Sequence, residues 1–276
     1  MPLFRSSCYC RHVFKRASRA GDDGDVEQRA PHAGCDGASR SAKAQKLIAL
    51  LSRHAPLVGR SVLEIGCGSG HIAAALAVAT GADGSVRAVD LVDQRLVTAG
   101  YDFDLVESSL VPFPDASFDI VVSNHVLEHV GGRQQQLEHL SEIRRVLRPE
   151  GIGYLAVPNR WSLVEPHYKL PLLSWLPLGL ASRYVRVARR GTWYDVVPPG
   201  PRMLRNLVQG VGLRATDVTF DVLGEMRRVE RGGRVKRWVL GMPRWVFNLG
   251  RPVVPTMVLL VSRDDVGQPS ESGSGS

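Results

Sequence analysis

A short apolar run followed by glycines at alternate positions is the most constraining feature of this chain. The run is Val62–Ile65, and Gly66, Gly68 and Gly70 follow it. The run is typical of a buried strand. Glycine allows positive φ and lets a ligand lie against the backbone. The apolar stretch 72–79 then predicts a helix whose first N–H groups face the glycine turn. A strand, a glycine turn and a helix in this order predict a nucleotide-type binding site at the carboxyl end of a parallel strand.

Apolar segments of strand and helix type alternate along the rest of the sequence. The predicted strands are Ser61–Ile65, Val86–Asp90, Phe103–Val106, Ser117–Ser123, Gly153–Val157, Leu213–Phe220 and Thr256–Val261. The predicted helices are 41–55, Gly70–Thr80, Val92–Ala99, Arg133–Leu147 and Met203–Val211. This alternation predicts an α/β fold, with a seven-stranded, mostly parallel, Rossmann-like sheet and helices on both faces.

The composition changes at both ends and at two internal segments. Residues 1–40 lack periodicity and contain no apolar core of signal-peptide length, so we expect a disordered leader. Residues 41–263 form one predicted domain, with insertions at about 161–201 and 221–250. Residues 264–276 end in Gly-Ser repeats and are a predicted disordered tail. The four cysteines have no spacing typical of zinc sites or disulfide scaffolds, which favours a reducing cytoplasm.

Positive charge and tryptophan are concentrated in the second half of the chain. The net charge is +8, and residues 183–263 contain 16 Lys and Arg against 5 Asp and Glu. All five tryptophans lie beyond residue 160. This distribution predicts an anionic partner, either a membrane surface or a phosphorylated substrate.

Five motifs in order resemble those of the class I S-adenosylmethionine-dependent methyltransferases, within the type 11 group that includes quinone-biosynthesis methyltransferases. They are the segments Glu64–Gly70, Ala88–Asp90, Val111–Asp119, His125–His129 and Arg145–Gly151. The resemblance covers roughly residues 45–160. It implies a methyltransferase domain and S-adenosyl-L-methionine as cofactor.

The predicted cofactor site combines the glycine turn with an acidic strand end. Asp90 ends the second strand, where a carboxylate can accept both ribose hydroxyls. The resemblance implies further contacts from Glu64 near the methionine amine, from Glu107 and Ser108 near the adenine, and from Ser123 at the mouth of the fourth strand. A nicotinamide cofactor is the alternative, but His71 occupies the position where the last glycine of Gly-x-Gly-x-x-Gly would stand.

The segment His125–His129 reads His-x-x-Glu-His, which matches a zinc motif as text. The segment follows a strand, and the resembling family segment binds no metal, so the sequence predicts no metal site. A methyl acceptor with an acidic proton is helped by a base. His129 or His125 is the predicted catalytic base.

The predicted acceptor site lies beyond the fifth strand. Asn159 and Arg160 come just after that strand, and His167 and Tyr168 open the first insertion. We expect these four residues to contact the substrate, with Arg160 suited to a carboxylate or a phosphate.

Both insertions combine apolar and aromatic residues with arginines. The first contains an apolar run interrupted by Pro171 and Pro177, and four arginines follow it. The run is too short to span a bilayer but suits a membrane interface. A helical lid, formed by both insertions and packed over the active site, is the alternative, and both roles are compatible.

The sequence therefore predicts a cytoplasmic methyltransferase that acts on a small-molecule or lipid-linked acceptor, with membrane association left open. Two alternatives remain open. One is a nucleic-acid methyltransferase, although no Asn/Asp-Pro-Pro-Tyr/Phe motif or RNA-binding module is recognisable. The other is a non-catalytic partner protein that binds the cofactor.

Overall fold

A computed structural model describes residues 37–221 and 253–264 of the chain. The strands are β1 Ser61–Ile65, β2 Ser85–Asp90, β3 Asp102–Leu105, β4 Phe118–Asn124, β5 Leu147–Pro158, β6 Leu213–Asp217 and β7 Thr256–Arg263. The helices are α1 Gly37–Leu51, α2 His71–Thr80, α3 Arg133–Val146, α4 Leu178–Val187 and α5 Pro201–Gly210. All seven predicted strands are present. Helix α1 begins inside the predicted leader. The remaining residues of the leader, the tail beyond residue 264 and nearly all of the second insertion lie outside the described part of the chain.

The seven strands form one sheet in the order β3-β2-β1-β4-β5-β7-β6. Strands β1 to β5 pair in parallel, and β7 pairs antiparallel with both β5 and β6. The chain moves outward in one direction from β1 to β3 and in the other from β4 onward. This reversal places β1 and β4 side by side at a topological switch point, where open α/β sheets bind ligands. The predicted Rossmann-like sheet is confirmed.

Helices cover both faces of the sheet and bury two apolar clusters. On one face, Leu50 of α1 and Leu76 of α2 pack with Val62 of β1. On the other, Ile143 of α3 and Leu207 of α5 pack in a single cluster with core residues of the central strands. The central strands are buried on both faces, which is why they read as continuous apolar runs.

The predicted helix Val92–Ala99 is wrong, because this segment is an irregular loop. The N–H groups of Leu96 and Val97 both donate to the Ser69 carbonyl, at 3.0 and 3.1 Å. Asp93 also accepts the N–H of Arg95. These bonds hold the segment against the glycine turn and take the donors that a helix would need.

The motif beginning at Val111 is held in place by α3. Glu142 accepts the N–H of Val111 at 2.8 Å and two hydrogen bonds from Arg145. Arg145 also donates to the carbonyl of Phe113 and to Asp115. The motif therefore acts as a clamped loop between β3 and β4.

The first insertion folds around a small core of its own. Tyr168, Leu173, Val185 and Tyr194 are buried together, apart from the two sheet clusters. It contains α4 and a short 3₁₀ turn, Leu173–Trp175, so the predicted helical character holds for only part of it. Within residues 37–221 and 253–264, no helix is long and apolar enough to cross a bilayer.

A buried histidine joins α3 to β4. His139 is fully buried, and its Nε2 lies 2.9 Å from the Ser123 hydroxyl. Burial lowers the pKa of His139 to about 4, although the charges of Glu128 and Glu142 oppose the shift. The imidazole is therefore neutral in the folded protein at neutral pH.

We expect this histidine to make stability fall with acidification. Between pH 6.5, the ordinary histidine pKa, and about pH 4, this histidine is protonated in the unfolded chain but stays neutral in the folded chain. This difference leaves the free energy of unfolding unchanged above pH 6.5. As the pH falls from 6.5 toward 4, it lowers the free energy of unfolding by up to about 3 kcal/mol. Urea unfolding at pH 7.5, 6 and 5 should show a shallower pH slope in His139→Gln than in the unmodified protein. Equal slopes would contradict this assignment.

Candidate active site

The three glycines after β1 all have positive φ, at 73° for Gly66, 53° for Gly68 and 77° for Gly70. Residues with a Cβ avoid this region. Gly70 then precedes the first residue of α2. The turn therefore depends on glycine at each of these positions.

The structure gives the three glycines different roles. A Cβ on Gly66 would lie 2.5 Å from Cγ2 of Val126. A Cβ on Gly70 would collide with the Tyr101 hydroxyl and the Val97 carbonyl. A Cβ on Gly68 would meet nothing within 4 Å. Gly66 and Gly70 are thus required by packing within the protein, and Gly68 borders open space that a ligand can use.

Glu64 is buried at the end of β1, with 1% of its surface exposed. Its Oε2 has no hydrogen-bond partner among the described residues. Burial raises the pKa of Glu64 well above its ordinary value, the nearby charge of Asp90 adds to the rise, and a backbone hydrogen bond from Ala73 opposes it. A cationic group beside this carboxyl would supply the missing partner and stabilise the ionised form. The α-ammonium of S-adenosylmethionine fits that requirement.

Asp90 ends β2 and faces the glycine turn. Its carboxylate accepts the N–H of Gly68 and the N–H of Leu91, both at 2.7 Å. Burial raises the pKa of Asp90, and these backbone hydrogen bonds act against the rise. Glu107 and Ser108 lie in an exposed loop just beyond β3, the strand next to β2. These positions agree with the predicted ribose and adenine sides, and the contacts themselves remain predictions.

Ser123 does not occupy the position predicted for it. Its side chain is fully buried, and its hydroxyl bonds to His139 of α3. Residues along β4 alternate between the two faces of the sheet, and this one points into the α3 layer. The structure therefore gives Ser123 a packing role and does not support a cofactor contact.

Three histidines surround one buried carboxylate beyond the end of β4. Oε1 of Glu128 lies 3.2 Å from His125 Nδ1, 3.8 Å from His129 Nε2 and 3.5 Å from His167 Nε2. Glu128 is completely buried, and its Oε2 has no hydrogen-bond partner in the described part of the chain. The ring of His167 packs edge-on against both other imidazoles. The structure thus unites the two predicted bases with one predicted substrate residue from the insertion.

The electrostatics of this cluster are set by competition between burial and pairing. Burial lowers the pKa of His125, and its hydrogen bond to Glu128 only partly opposes the shift. Burial opposes the charge on Glu128, but the hydrogen bond from His125 and the neighbouring histidines outweigh it and lower its pKa. Burial likewise opposes charge on His167, yet its pKa is raised because it pairs with Glu165.

The other three predicted substrate residues have surroundings of their own, and two of them form hydrogen bonds with backbone groups. The Asn159 side chain is buried and accepts the N–H of Trp161 at 3.0 Å. Arg160 is exposed, with its guanidinium 5.7 Å from the Trp161 ring centroid. Tyr168 is buried in the insertion core and donates to the Trp193 carbonyl. Asn159 and Tyr168 therefore shape the insertion, and Arg160 remains a predicted surface contact.

Sequence reasoning missed the residues that α1 and the insertion bring to the site. Arg40 of α1 donates to the Ser69 hydroxyl at 2.5 Å, which places α1 beside the glycine turn. Lys43 of the same helix lies near enough for its charge to act on Glu128. Glu165 is buried and lies 2.8 Å from His167 Nδ1. No local pattern marks these residues. Arg40 and Lys43 act on distant segments of the chain, and Glu165 joins the site only through its neighbour His167, which reaches Glu128.

We expect alanine at two of the glycines to separate packing from ligand binding. Gly70→Ala should lower the free energy of unfolding by about 2–4 kcal/mol, since it adds a steric clash to an unfavourable φ. Gly68→Ala should cost only about 1 kcal/mol of stability and should weaken S-adenosylmethionine binding about tenfold or more, because its methyl group enters the open space. Urea unfolding and isothermal titration calorimetry measure the two effects. Unchanged cofactor affinity in Gly68→Ala would contradict the assignment.

Comparison with known proteins identifies the family. A family model described as a methyltransferase domain matches residues 63–155. An uncharacterized methyltransferase of Mycobacterium bovis is 30% identical over 169 residues, which cover 58% of this chain and 79% of that protein. A ubiquinone biosynthesis O-methyltransferase of Rhizobium leguminosarum is 28% identical over 173 residues, which cover 59% of this chain and 63% of that protein.

One solved structure and the extent of the matches complete the comparison. An S-adenosylmethionine-dependent methyltransferase from Mesorhizobium loti has a TM-score of 0.51 at 14% identity, covering 78% of this chain and 96% of that one, and shows the same fold. The chain spans 39%, 53% and 63% of the length of three curated relatives that it matches. With its matching motifs, glycine turn and sheet order, the chain belongs to the S-adenosylmethionine-dependent methyltransferases.

Proposed function

We propose that this protein transfers the methyl group of S-adenosylmethionine to a small-molecule or lipid-linked acceptor. The observation that carries the proposal is the edge of the sheet at β1, β2 and β4. There the Glu64 carboxyl, the open side of Gly68 and the Asp90 carboxylate lie beside the histidine cluster after β4, and Oε2 of Glu64 has no partner among the described residues. The names of relatives such as the ubiquinone biosynthesis O-methyltransferase support an acceptor of small-molecule type.

The two halves of the site have separate tasks. Glu64, Gly68 and Asp90 hold the cofactor, which supplies a methyl group activated by a sulfonium. The acceptor oxygen, nitrogen or carbon forms the new bond to that methyl group and gives up a proton, and S-adenosylhomocysteine leaves. Correct alignment of the acceptor supplies most of the rate, and a positioned base adds to it.

A test of turnover separates the enzyme from a non-catalytic partner protein. Incubation with a cell extract and methyl-labelled S-adenosylmethionine should yield S-adenosylhomocysteine and label in the small-molecule or lipid fraction. Label found only in nucleic acid would contradict the proposed acceptor and identify a nucleic-acid methyltransferase. If the protein binds the cofactor but no fraction yields S-adenosylhomocysteine, the protein is a non-catalytic partner that binds the cofactor.

His129 and His125 are the proposed bases, because both imidazoles lie beside the Glu128 carboxylate just beyond the end of β4. We expect His129→Ala and His125→Ala each to lower turnover by about 10²–10⁴-fold while cofactor affinity stays near that of the unmodified protein. His54→Ala, which alters an exposed histidine before β1, is the matched control and should retain full activity. Unchanged turnover in both site variants would remove the base hypothesis.

The first insertion further suggests that the acceptor is reached at an anionic membrane surface. Fifteen large hydrophobic side chains are exposed in the described part of the chain, and nine of them lie between residues 161 and 193. Arg183, Arg186, Arg189 and Arg190 are exposed on or just after α4. Apolar side chains beside arginines are suited to the headgroup region of anionic lipids.

Vesicle flotation tests the membrane proposal. The protein should float with vesicles containing anionic lipid at low salt and much less with zwitterionic vesicles. The double variant Trp175→Ser, Leu178→Ser should lose most of this binding, because it removes exposed apolar area from the insertion. Leu91→Ser, Leu105→Ser, at exposed positions on the other side of β1, is the matched control. Absence of flotation with anionic vesicles would refute the proposal.

A further inference from the structure

We propose that His125, Glu128 and His167 form a binding site for a divalent transition-metal ion such as Zn²⁺. One ligand atom from each residue lies within 4.8 Å of the other two. Two of the residues come from the turn after β4 and the third from the first insertion. The sequence predicted no metal here because the His125–His129 segment follows a strand and resembles a family segment that binds no metal. The structure adds His167 of the insertion beside it.

The first argument is the state of the Glu128 carboxylate. It is completely buried, and its Oε2 has no hydrogen-bond partner among the described residues. Buried carboxylates are costly unless they are paired and fully hydrogen-bonded. A cation coordinated by this carboxylate would supply the missing interaction.

The second argument is the orientation of His167. Its Nδ1 lies 2.8 Å from Oε1 of Glu165, and the other Glu165 oxygen accepts the N–H of Tyr168 at 2.6 Å. With Nδ1–H donating to Glu165, a neutral imidazole directs the Nε2 lone pair toward Glu128, 3.5 Å from its Oε1, so metal binding there displaces any proton on Nε2. Metal-binding histidines commonly donate their second N–H to a carboxylate in this way.

The third argument is spacing. His167 Nε2 lies 3.5 Å from Glu128 Oε1, and His125 Nδ1 lies 3.2 Å from the same oxygen. Ligands bound tetrahedrally to zinc at about 2.0–2.1 Å are separated by about 3.3 Å. Both separations are close to that value, and all three ligand atoms lie within 4.8 Å of one another. His125 is held at a φ of 60°, a rare conformation for a residue with a side chain.

Two imidazoles and one carboxylate are a ligand set that zinc and ferrous iron both use, with positions left for water or substrate. An acceptor hydroxyl bound at such a position would be more acidic, and His129 would remain beside it as a base. This use in catalysis rests on the proposed function, whereas metal binding does not depend on it. Lys43 acts against the site, since its charge lies near His125 and His167.

The test is a zinc titration of the full chain. Protein freed of metal with a chelator and dialysed is titrated with Zn²⁺ in competition with a chromophoric chelator at neutral pH. We expect one tight equivalent, reduced at least 100-fold in affinity by Glu128→Gln or His167→Gln and about 10–100-fold by Glu165→Gln. Lys43→Gln should bind zinc several-fold more tightly. Circular dichroism melting checks that each variant is folded.

Two controls exclude other zinc ligands. His54→Gln, which alters an exposed histidine outside the site, should bind zinc as tightly as the unmodified protein. The triple variant Cys8→Ser, Cys10→Ser, Cys35→Ser should also keep the tight equivalent, and Co²⁺ bound in its place should show no thiolate charge-transfer band. Absence of tight zinc binding, or binding in Glu128→Gln and His167→Gln equal to that of His54→Gln, would overturn the site. Methyl transfer is assayed separately on the same preparations, so failure of the metal site and failure of the proposed function give different results.

Discussion

The parallel pairing of β1 between β2 and β4 is the constraint on which the site depends. Ile65 at the end of β1 is in register with Val89 of β2 and Ser123 of β4. Because parallel strands bring their carboxyl ends to the same edge, the glycine turn, Asp90 and the histidine cluster lie beside one another although up to about a hundred residues separate them. A change of register by one residue would turn Glu64 to the other face of the sheet.

A buried carboxyl group with one unpaired oxygen among the described residues lies on the cofactor side of this edge, and another lies in the histidine cluster. Glu64 lies beneath the glycine turn, and Glu128 lies among the histidines. Each has an oxygen without a hydrogen-bond partner in the described residues, in a protein whose other buried acidic side chains, Glu142 and Glu165, are hydrogen-bonded. Stability alone would favour neutral or paired groups at these positions. The imbalance is understandable if each carboxylate meets a cation from outside the chain, an ammonium at one and a metal ion at the other.

The elements with strong local signals were predicted well from the sequence. Strand β1 agrees with its prediction at both ends, because an apolar run bounded by glycines has few alternatives. The predicted helix at 92–99 was wrong, because the N–H groups of Leu96 and Val97 donate to the Ser69 carbonyl of the glycine turn. Ser123 was placed in the cofactor site by analogy, yet strand alternation turns its side chain toward His139. The motifs therefore predicted the position of the backbone well, but they predicted the direction of individual side chains less well.

The sequence by itself determined the parallel sheet, the cofactor turn and the acidic end of β2, because periodicity, glycine spacing and strand ends are local properties. Tertiary structure alone decided which residues the histidines meet. His167 reaches His125 and Glu128 only because the first insertion folds around its own core and returns to the mouth of β4. Glu165, which orients His167, has no motif of its own. Contacts between distant segments depend on how the elements pack, and no local pattern encodes them.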